Sequence, residues 1–259
     1  KDDIVARLPT VPAMNGKRVA CIGAGPASLT VANDLLPLGY EVVIFEQWDK
    51  PGGLMRTNIP SFRLPESVLD EEIGYIERMG AQLRYNSRID SLRRLLETGG
   101  FDAVLVGSGA PKGKELKLPG REEGKDNIHI GIQWLESVAF KHVDKIGDRV
   151  LIIGVGNTAM DCCRSSLRLG AKDVKVMARK PRQFFKASEW ELEDAESENV
   201  EIVVNHAPKA FVVEGGRLVG MMFDRMEYDV DAKGRITAER IVGEQFFPAD
   251  DVILAIGQE

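Results

Sequence analysis

Cysteine is scarce in this 259-residue sequence, with three in all, and so is histidine, also three. Cys21 falls inside an apolar run and Cys162 is followed directly by Cys163. No C-x-x-C exists for disulfide exchange or for ligating an iron–sulfur cluster, and buried, unreactive thiols in a reducing compartment are expected. His129, His142 and His206 are scattered without metal-ligand spacing. No metal site and no catalytic side chain is therefore expected. Basic residues are outnumbered, 34 Lys and Arg against 40 Asp and Glu, for a net charge of −6. That balance argues against a nucleic-acid footprint or a basic membrane patch. No apolar run approaches the length of a membrane span, and no leader precedes the first strand pattern, which leaves the cytoplasm as the expected compartment.

What is present is a dinucleotide-type pattern, twice. Residues 17–46, KRVACIGAGPASLTVANDLLPLGYEVVIFE, read as a strand (18–22), a glycine turn, a helix from about Pro26 to Pro37, and a strand (42–45) ending on Glu46. In such a unit Gly23 permits the tight turn and Gly25 lets a pyrophosphate approach the N–H groups that open the helix. Glu46 then suits a ribose hydroxyl. Ser28 stands where a small residue allows close helix–strand packing. A plain βαβ unit with a glycine turn is the bland alternative. The second copy, residues 148–180, is again strand, glycine turn (Gly154, Gly156), helix and strand, and repetition of the unit is hard to obtain by accident. Its second strand ends on Met177-Ala178-Arg179-Lys180 with no acid. Arg179 can fork onto a 2′-phosphate, with Lys180 and Arg182 adding positive potential, so this site should prefer NADP(H) to NAD(H). A merely solvated basic turn is the competing reading.

Between and around the copies, residues 1–16 carry Pro9 and Pro12 and read as a linker. A Gly/Pro-rich loop over 47–65 precedes a helix with Val68, Leu69, Ile73, Ile76 and Met79 at helical spacing. Arg56 and Arg63 in that loop either bind anions or are solvated. A short strand (82–85), a polar helix (91–98) and a buried parallel strand within 101–110 follow, the last running into a second glycine turn. The Lys-, Gly- and Glu-rich stretch 111–127 looks like a crossover, and an apolar helix (132–140) follows it. After an acidic helical stretch (184–198), alternation around Gly215-Gly216 and 231–234 marks an antiparallel meander. The final buried strand, ending at Gly257, echoes 102–109.

The motifs GAGPASL, PGGLMRTNIPSFRLPESVLDEEI and IGVGNTAMDCCRSSLRLGA resemble those of the glutamate synthase small (β) subunit family, which includes the flavin portion of dihydropyrimidine dehydrogenase. The resemblance covers about 17–259, and the GGL…IP…RLP loop is its most specific part. It implies an α/β fold of two Rossmann-like dinucleotide-binding domains, the second inserted in the first: 17–113 for FAD, 114–247 for NAD(P)H, and 248–259 returning to the FAD domain. It implies that Gly23, Gly25, Pro26, Ala27 and Ser28 wrap the FAD pyrophosphate and that Glu46 with Gln47 holds its adenosine ribose. Gly53, Leu54, Arg56 and Arg63 would follow the flavin side, the backbone at Ile89 would read adenine, and Ser108, Gly109 and Ala110 would close over the dinucleotide. Gly154, Gly156, Asn157, Thr158 and Ala159 would take the NADP pyrophosphate, Arg179 and Lys180 the 2′-phosphate, and Ala255, Ile256 and Gly257 the end of the final strand.

Two family glycines are replaced, by Asn58 in the loop and by Val155 in the second turn. The family's flavin domain normally continues beyond the Ala255-Ile256-Gly257 segment, and its cysteine-ligated N-terminal domain has no counterpart here, so a fragment of a longer protein is expected. The implied activity is hydride transfer from NADPH to FAD, with electrons then passed to an iron–sulfur protein, domain or catalytic subunit. Two readings compete: a thioredoxin-reductase-like disulfide reductase, which needs the missing C-x-x-C, and a non-catalytic nucleotide-binding or assembly subunit.

Overall fold

The computed structural model describes residues 13–258, which form two compact units, the first running to Ala110 and the second from Pro111. Most of the linker expected over 1–16 lies outside the described residues. Its last part is tied down: Asn15 donates its backbone N–H to the Gly39 carbonyl (2.8 Å) and its side-chain amide to that of Leu38 (3.0 Å).

The first unit runs β1 (Arg18–Ile22), α1 (Pro26–Leu35), β2 (Glu41–Phe45), α2 (Leu54–Thr57), α3 (Glu66–Arg78), β3 (Gln82–Arg84), α4 (Leu92–Thr98) and β4 (Ala103–Val106). All strands are parallel, in the order β3-β2-β1-β4. Apolar spacing on α1 and α3 presents Leu29, Ala32, Leu69 and Ile73 to one face of the sheet, where they pack with Val19, Cys21, Val42 and Ile44. The other face is thinner, with Ala20, Val43 and Phe45 covered by Ile89, Leu95 and Phe101. Helix α4 starts where Ser91 caps it, its side-chain oxygen accepting from the Arg94 N–H (3.2 Å). The strand expected to be buried within 101–110 is β4, and its ends are exposed, with Val106 56% accessible. The sequence run is apolar, but β4 lies at the edge of the sheet.

The second unit holds β5 (Ile128–Ile130), α5 (Gly131–Ala139), β6 (Arg149–Ile153), α6 (Asn157–Arg168), β7 (Asp173–Met177), α7 (Glu189–Ser197), β8 (Glu201–Val203), the meander β9 (His206–Glu214), β10 (Arg217–Val230) and β11 (Ile236–Pro248), and β12 (Asp251–Leu254). Its parallel sheet has the order β5-β12-β6-β7-β8. The two sheets thus share one plan, with β8-β7-β6-β12 matching β3-β2-β1-β4. Helices α5, α6 and α7 cover one face through Trp134, Leu135, Met160, Cys163 and Leu192. The other face receives Phe211, Leu218, Met221, Phe223 and Phe247, so the antiparallel meander replaces a helical layer.

The expected return of 248–259 to the first domain is corrected here. Strand β12 pairs with β5 on one side and β6 on the other, in register Val252 to Leu151 and Leu254 to Ile153. Its four residues are buried, and a run that is apolar on both faces belongs inside a parallel sheet. The division between units also comes slightly earlier than the expected 113/114 boundary.

Candidate functional site

Each unit exposes one glycine-turned helix N-terminus beyond the C-terminal ends of its parallel strands, where open α/β sheets hold ligands. In the first unit Gly23 has φ +88°, and a Cβ there would sit 2.7 Å from the Gly107 carbonyl oxygen. Glycine is required by both. Gly25 forms the N-cap of α1, and its neighbours Pro26 and Ala27 are exposed. The loop that follows β2 lies directly against this turn: Gly52 donates to the Ala24 carbonyl (2.8 Å), and a Cβ on Gly53 (φ +52°) would come within 2.9 Å of Gly25 Cα. Two backbones therefore meet with no side chain between them, leaving main-chain amides at the helix start.

Glu46 is 5% exposed and holds this arrangement together. One carboxylate oxygen accepts from the Ala24 N–H (2.8 Å) and the other from the Trp48 N–H (3.0 Å). Each oxygen retains a lone pair, so a ribose hydroxyl can still be received. Gln47 beside it is exposed. Ser28 has the packing place that a small residue at this position is expected to take. It is wholly buried, and a Cβ on Gly107 would lie 2.6 Å from its Oγ, so its side chain packs the helix against the segment that follows β4.

Arg56 is enclosed by partners of its own. Its side chain is 6% exposed; it donates to the Pro51 carbonyl (2.6 Å) and pairs with Glu66 (3.3 Å) and with Asp70. It is enclosed rather than solvated, and it fastens the loop to α3. Leu54 and Arg63 are half-buried, Ile89 packs under the sheet, and Ser108, Gly109 and Ala110 are exposed beyond β4. Asn58, at φ −125°, takes a conformation that needs no glycine.

In the second unit Gly154 has φ +125°, and a Cβ there would lie 2.3 Å from the Ala255 carbonyl oxygen. Gly156, the N-cap of α6, differs: nothing lies within 4 Å of where its Cβ would be. The space over that helix start is open to a ligand. The Val155 carbonyl accepts from Lys186 (3.2 Å) and Ala187 (3.0 Å), and Asn157 Oδ1 accepts from the Ser188 N–H (3.1 Å), so the segment after β7 is strapped to the turn. These contacts use the Val155 main chain, and the bulkier residue is accommodated. Thr158, Ala255 and Gly257 line a small recess together with Gly113, Ile130 and Ile132. Ala159 is buried beneath, Ile256 half-buried, and Gly257 (φ +112°) accepts from the Lys114 N–H (2.9 Å).

The basic end of β7 is only partly available. Arg182 pairs with Glu189 and Glu196, whose hydrogen bonds push its guanidinium still higher, so it contributes little uncompensated charge. Arg179 and Lys180 are exposed. Arg179 pairs with Glu239 (2.8 Å), and its carbonyl accepts from the Tyr228 hydroxyl (2.7 Å). Gly52, Gly107, Tyr228 and Glu239 were not singled out from the sequence. The Gly52-Gly53 doublet was a usable signal, whereas the other three act across long chain separations.

All three cysteines are buried; burial raises the Cys21 thiol to about 11 and the Cys163 thiol to about 12. Among the described residues no group of three or more His, Cys, Asp or Glu could hold a metal, and no helix is long and apolar enough to cross a membrane.

Comparison with known proteins agrees with this geometry. Over 96% of its length the chain is 37% identical to the NADP(+)-dependent formate dehydrogenase subunit beta of Moorella thermoacetica, spanning 36% of that protein. Over 93% it is 34% identical to the glutamate synthase [NADPH] small chain of Escherichia coli, and 36% identical to that organism's NAD-dependent dihydropyrimidine dehydrogenase subunit PreT, spanning 54% of each. The motif resemblance to the glutamate synthase small subunit and dihydropyrimidine dehydrogenase is thereby borne out. The chain spans about a third to a half of these relatives' length. In fold it is similar to FprA from Mycobacterium tuberculosis in complex with NADPH, with TM-score 0.80 at 18% identity, covering 94% of this chain and 71% of that one. The profile of the pyridine nucleotide-disulphide oxidoreductases matches residues 17–259, and the chain belongs to that family.

Proposed function

We propose that this chain is the electron-input part of an FAD-dependent NADPH oxidoreductase, with FAD on the first unit and NADPH on the second. The observation that carries the reading is the pairing of two exposed, glycine-turned helix starts with different second-strand ends: buried Glu46 in one, exposed Arg179 in the other. Bound there, FAD would supply the capacity to take a hydride from NADPH and to release electrons one at a time.

The chain's own residues bind and orient. Backbone N–H groups at Gly25 to Ala27 and at Gly156 to Thr158 would neutralise pyrophosphate charge, aided by the positive end of each helix. Glu46 would receive the adenosine ribose of FAD. Arg179 would take the 2′-phosphate of NADPH, assisted by Lys180. Gly53 keeps side chains away from the first turn. No acid or base is required of the protein, because alignment of the two cofactors is its contribution. Disulfide exchange is not proposed: despite the family's name, the three thiols are buried and none has the C-x-x-C spacing. An iron–sulfur domain or subunit outside this chain would accept the electrons, and the cytoplasm is the compartment in keeping with such a partner.

The test is the visible spectrum of the purified protein before and after anaerobic NADPH. An oxidised-flavin band that bleaches supports the reading. A protein that binds NADPH yet reduces no dye even with FAD added would instead support a nucleotide-binding assembly role. Arg179→Glu should weaken NADPH more than NADH, and equal losses would remove Arg179 from the 2′-phosphate.

A further inference from the structure

Tyr228 on β10 and Glu239 on β11 are direct partners in the antiparallel ladder, so their side chains leave the sheet on the same face. Both reach the same residue. The Tyr228 hydroxyl donates to the Arg179 carbonyl (2.7 Å), and Glu239 Oε1 accepts from Arg179 Nη2 (2.8 Å). One contact fixes the main chain at the end of β7 and is indifferent to charge. The other occupies the guanidinium with a carboxylate. The next cross-strand pair, Glu227 and Arg240, is closed on itself, Arg240 also reaching Asp229 (3.0 Å), so its charges are compensated locally.

We propose that Glu239 is a built-in competitor for the phosphate-binding face of Arg179 and sets how strongly the second unit prefers a 2′-phosphorylated nucleotide; this rests on the reading of Arg179 given above. A 2′-phosphate must displace Glu239 or share the guanidinium with a like-charged neighbour. A nucleotide with a free 2′-hydroxyl leaves the ion pair intact. Glu239 therefore penalises one class of nucleotide and spares the other. Both side chains of the pair are about half exposed, at 54% and 45%, so the contact is weak enough for a phosphate dianion to open it. Tyr228 keeps the backbone in place while the guanidinium changes partner.

The experiment is calorimetric titration of the full chain with adenosine 2′,5′-bisphosphate and with 5′-AMP, using wild type, Glu239→Gln and Arg179→Ala. Glu239→Gln should bind the bisphosphate about two- to fivefold tighter, the span of an exposed ion pair. It should bind 5′-AMP unchanged, and the gain should shrink at high salt. Unchanged or weaker bisphosphate binding by Glu239→Gln, with Arg179→Ala still losing the preference for bisphosphate, would overturn the competitor role and leave the Arg179 assignment standing. An Arg179→Ala protein that keeps the preference would overturn that assignment and this proposal together.

Discussion

Gly154 and Gly156 flank one residue in the same turn, and the structure assigns them opposite burdens. In Gly154→Ala the new methyl would start 2.3 Å from the Ala255 carbonyl oxygen, about 1 Å short of ordinary contact. The obstacle is main chain at the exit of β12, which cannot rotate aside. The φ of +125° adds backbone strain of about 1–2 kcal/mol, and overpacking contributes about 1–3 kcal/mol. A total near 3 kcal/mol corresponds to a fall of about 6–12 °C in the melting temperature of a unit this size. In Gly156→Ala the methyl meets nothing within 4 Å and φ is −101°, so only the weaker N-cap preference is lost, at most about 1 kcal/mol and about 4 °C. Yet that methyl would stand where a pyrophosphate approaches. Scanning calorimetry should rank the variants one way and NADPH titration of the folded proteins the other, with Gly156→Ala losing at least about tenfold in affinity, or about 1.4 kcal/mol. A Gly154→Ala protein melting with wild type would refute the packing argument. Unimpaired NADPH binding by Gly156→Ala would refute the site.

Glu46→Gln should lower stability by about 1–3 kcal/mol even without FAD, because an amide presents a donor to one of the two N–H groups that Glu46 now accepts; urea denaturation checks this. Arg56→Ala should release the 51–57 loop, seen as faster hydrogen exchange at the Gly52 amide, at a stability cost of about 1–2 kcal/mol; unchanged exchange would mean that the loop does not depend on this arginine. Raised thiols favour folding below the unfolded pKa and lose that contribution as pH rises. For Cys21 the window runs from 9.0 to about 11, at about 1.4 kcal/mol per pH unit. A thiol reagent at pH 8 should find no reactive cysteine until denaturant is added, and prompt labelling of the native protein would contradict the burial.

The sequence displayed both βαβ units because their information is local: β1, α1 and β2, like β6, α6 and β7, are set by apolar runs and glycines a few residues apart. Helix starts were legible for the same reason, Ser91 capping the one expected at 91–98. What was hidden depended on contacts across the chain. Whether β4 is buried turns on its place at the sheet edge, and whether β12 belongs to one sheet or the other turns on partners at 128–130 and 150–153. The arginines show the same limit. Arg56, Arg179 and Arg182 all look available to anions in the sequence, but the carboxylates they meet lie 7 to 60 residues away along the chain. The sequence suits Ser28 to packing, and Gly107, the residue it packs against, lies 79 residues further along the chain.

The place of β12 also has a consequence in time. The described strands of the first unit's sheet all come from residues 18–106, and the last of them, β4, forms beside β1. The second unit's sheet receives an interior strand last, and β12 pairs with β6 roughly a hundred residues earlier. As the chain leaves the ribosome, β5 therefore has no strand beside it until Asp251–Leu254 arrives to join it to β6. The second unit therefore holds two separate edges, and a half-covered apolar face, until nearly all of the residues described here have been made.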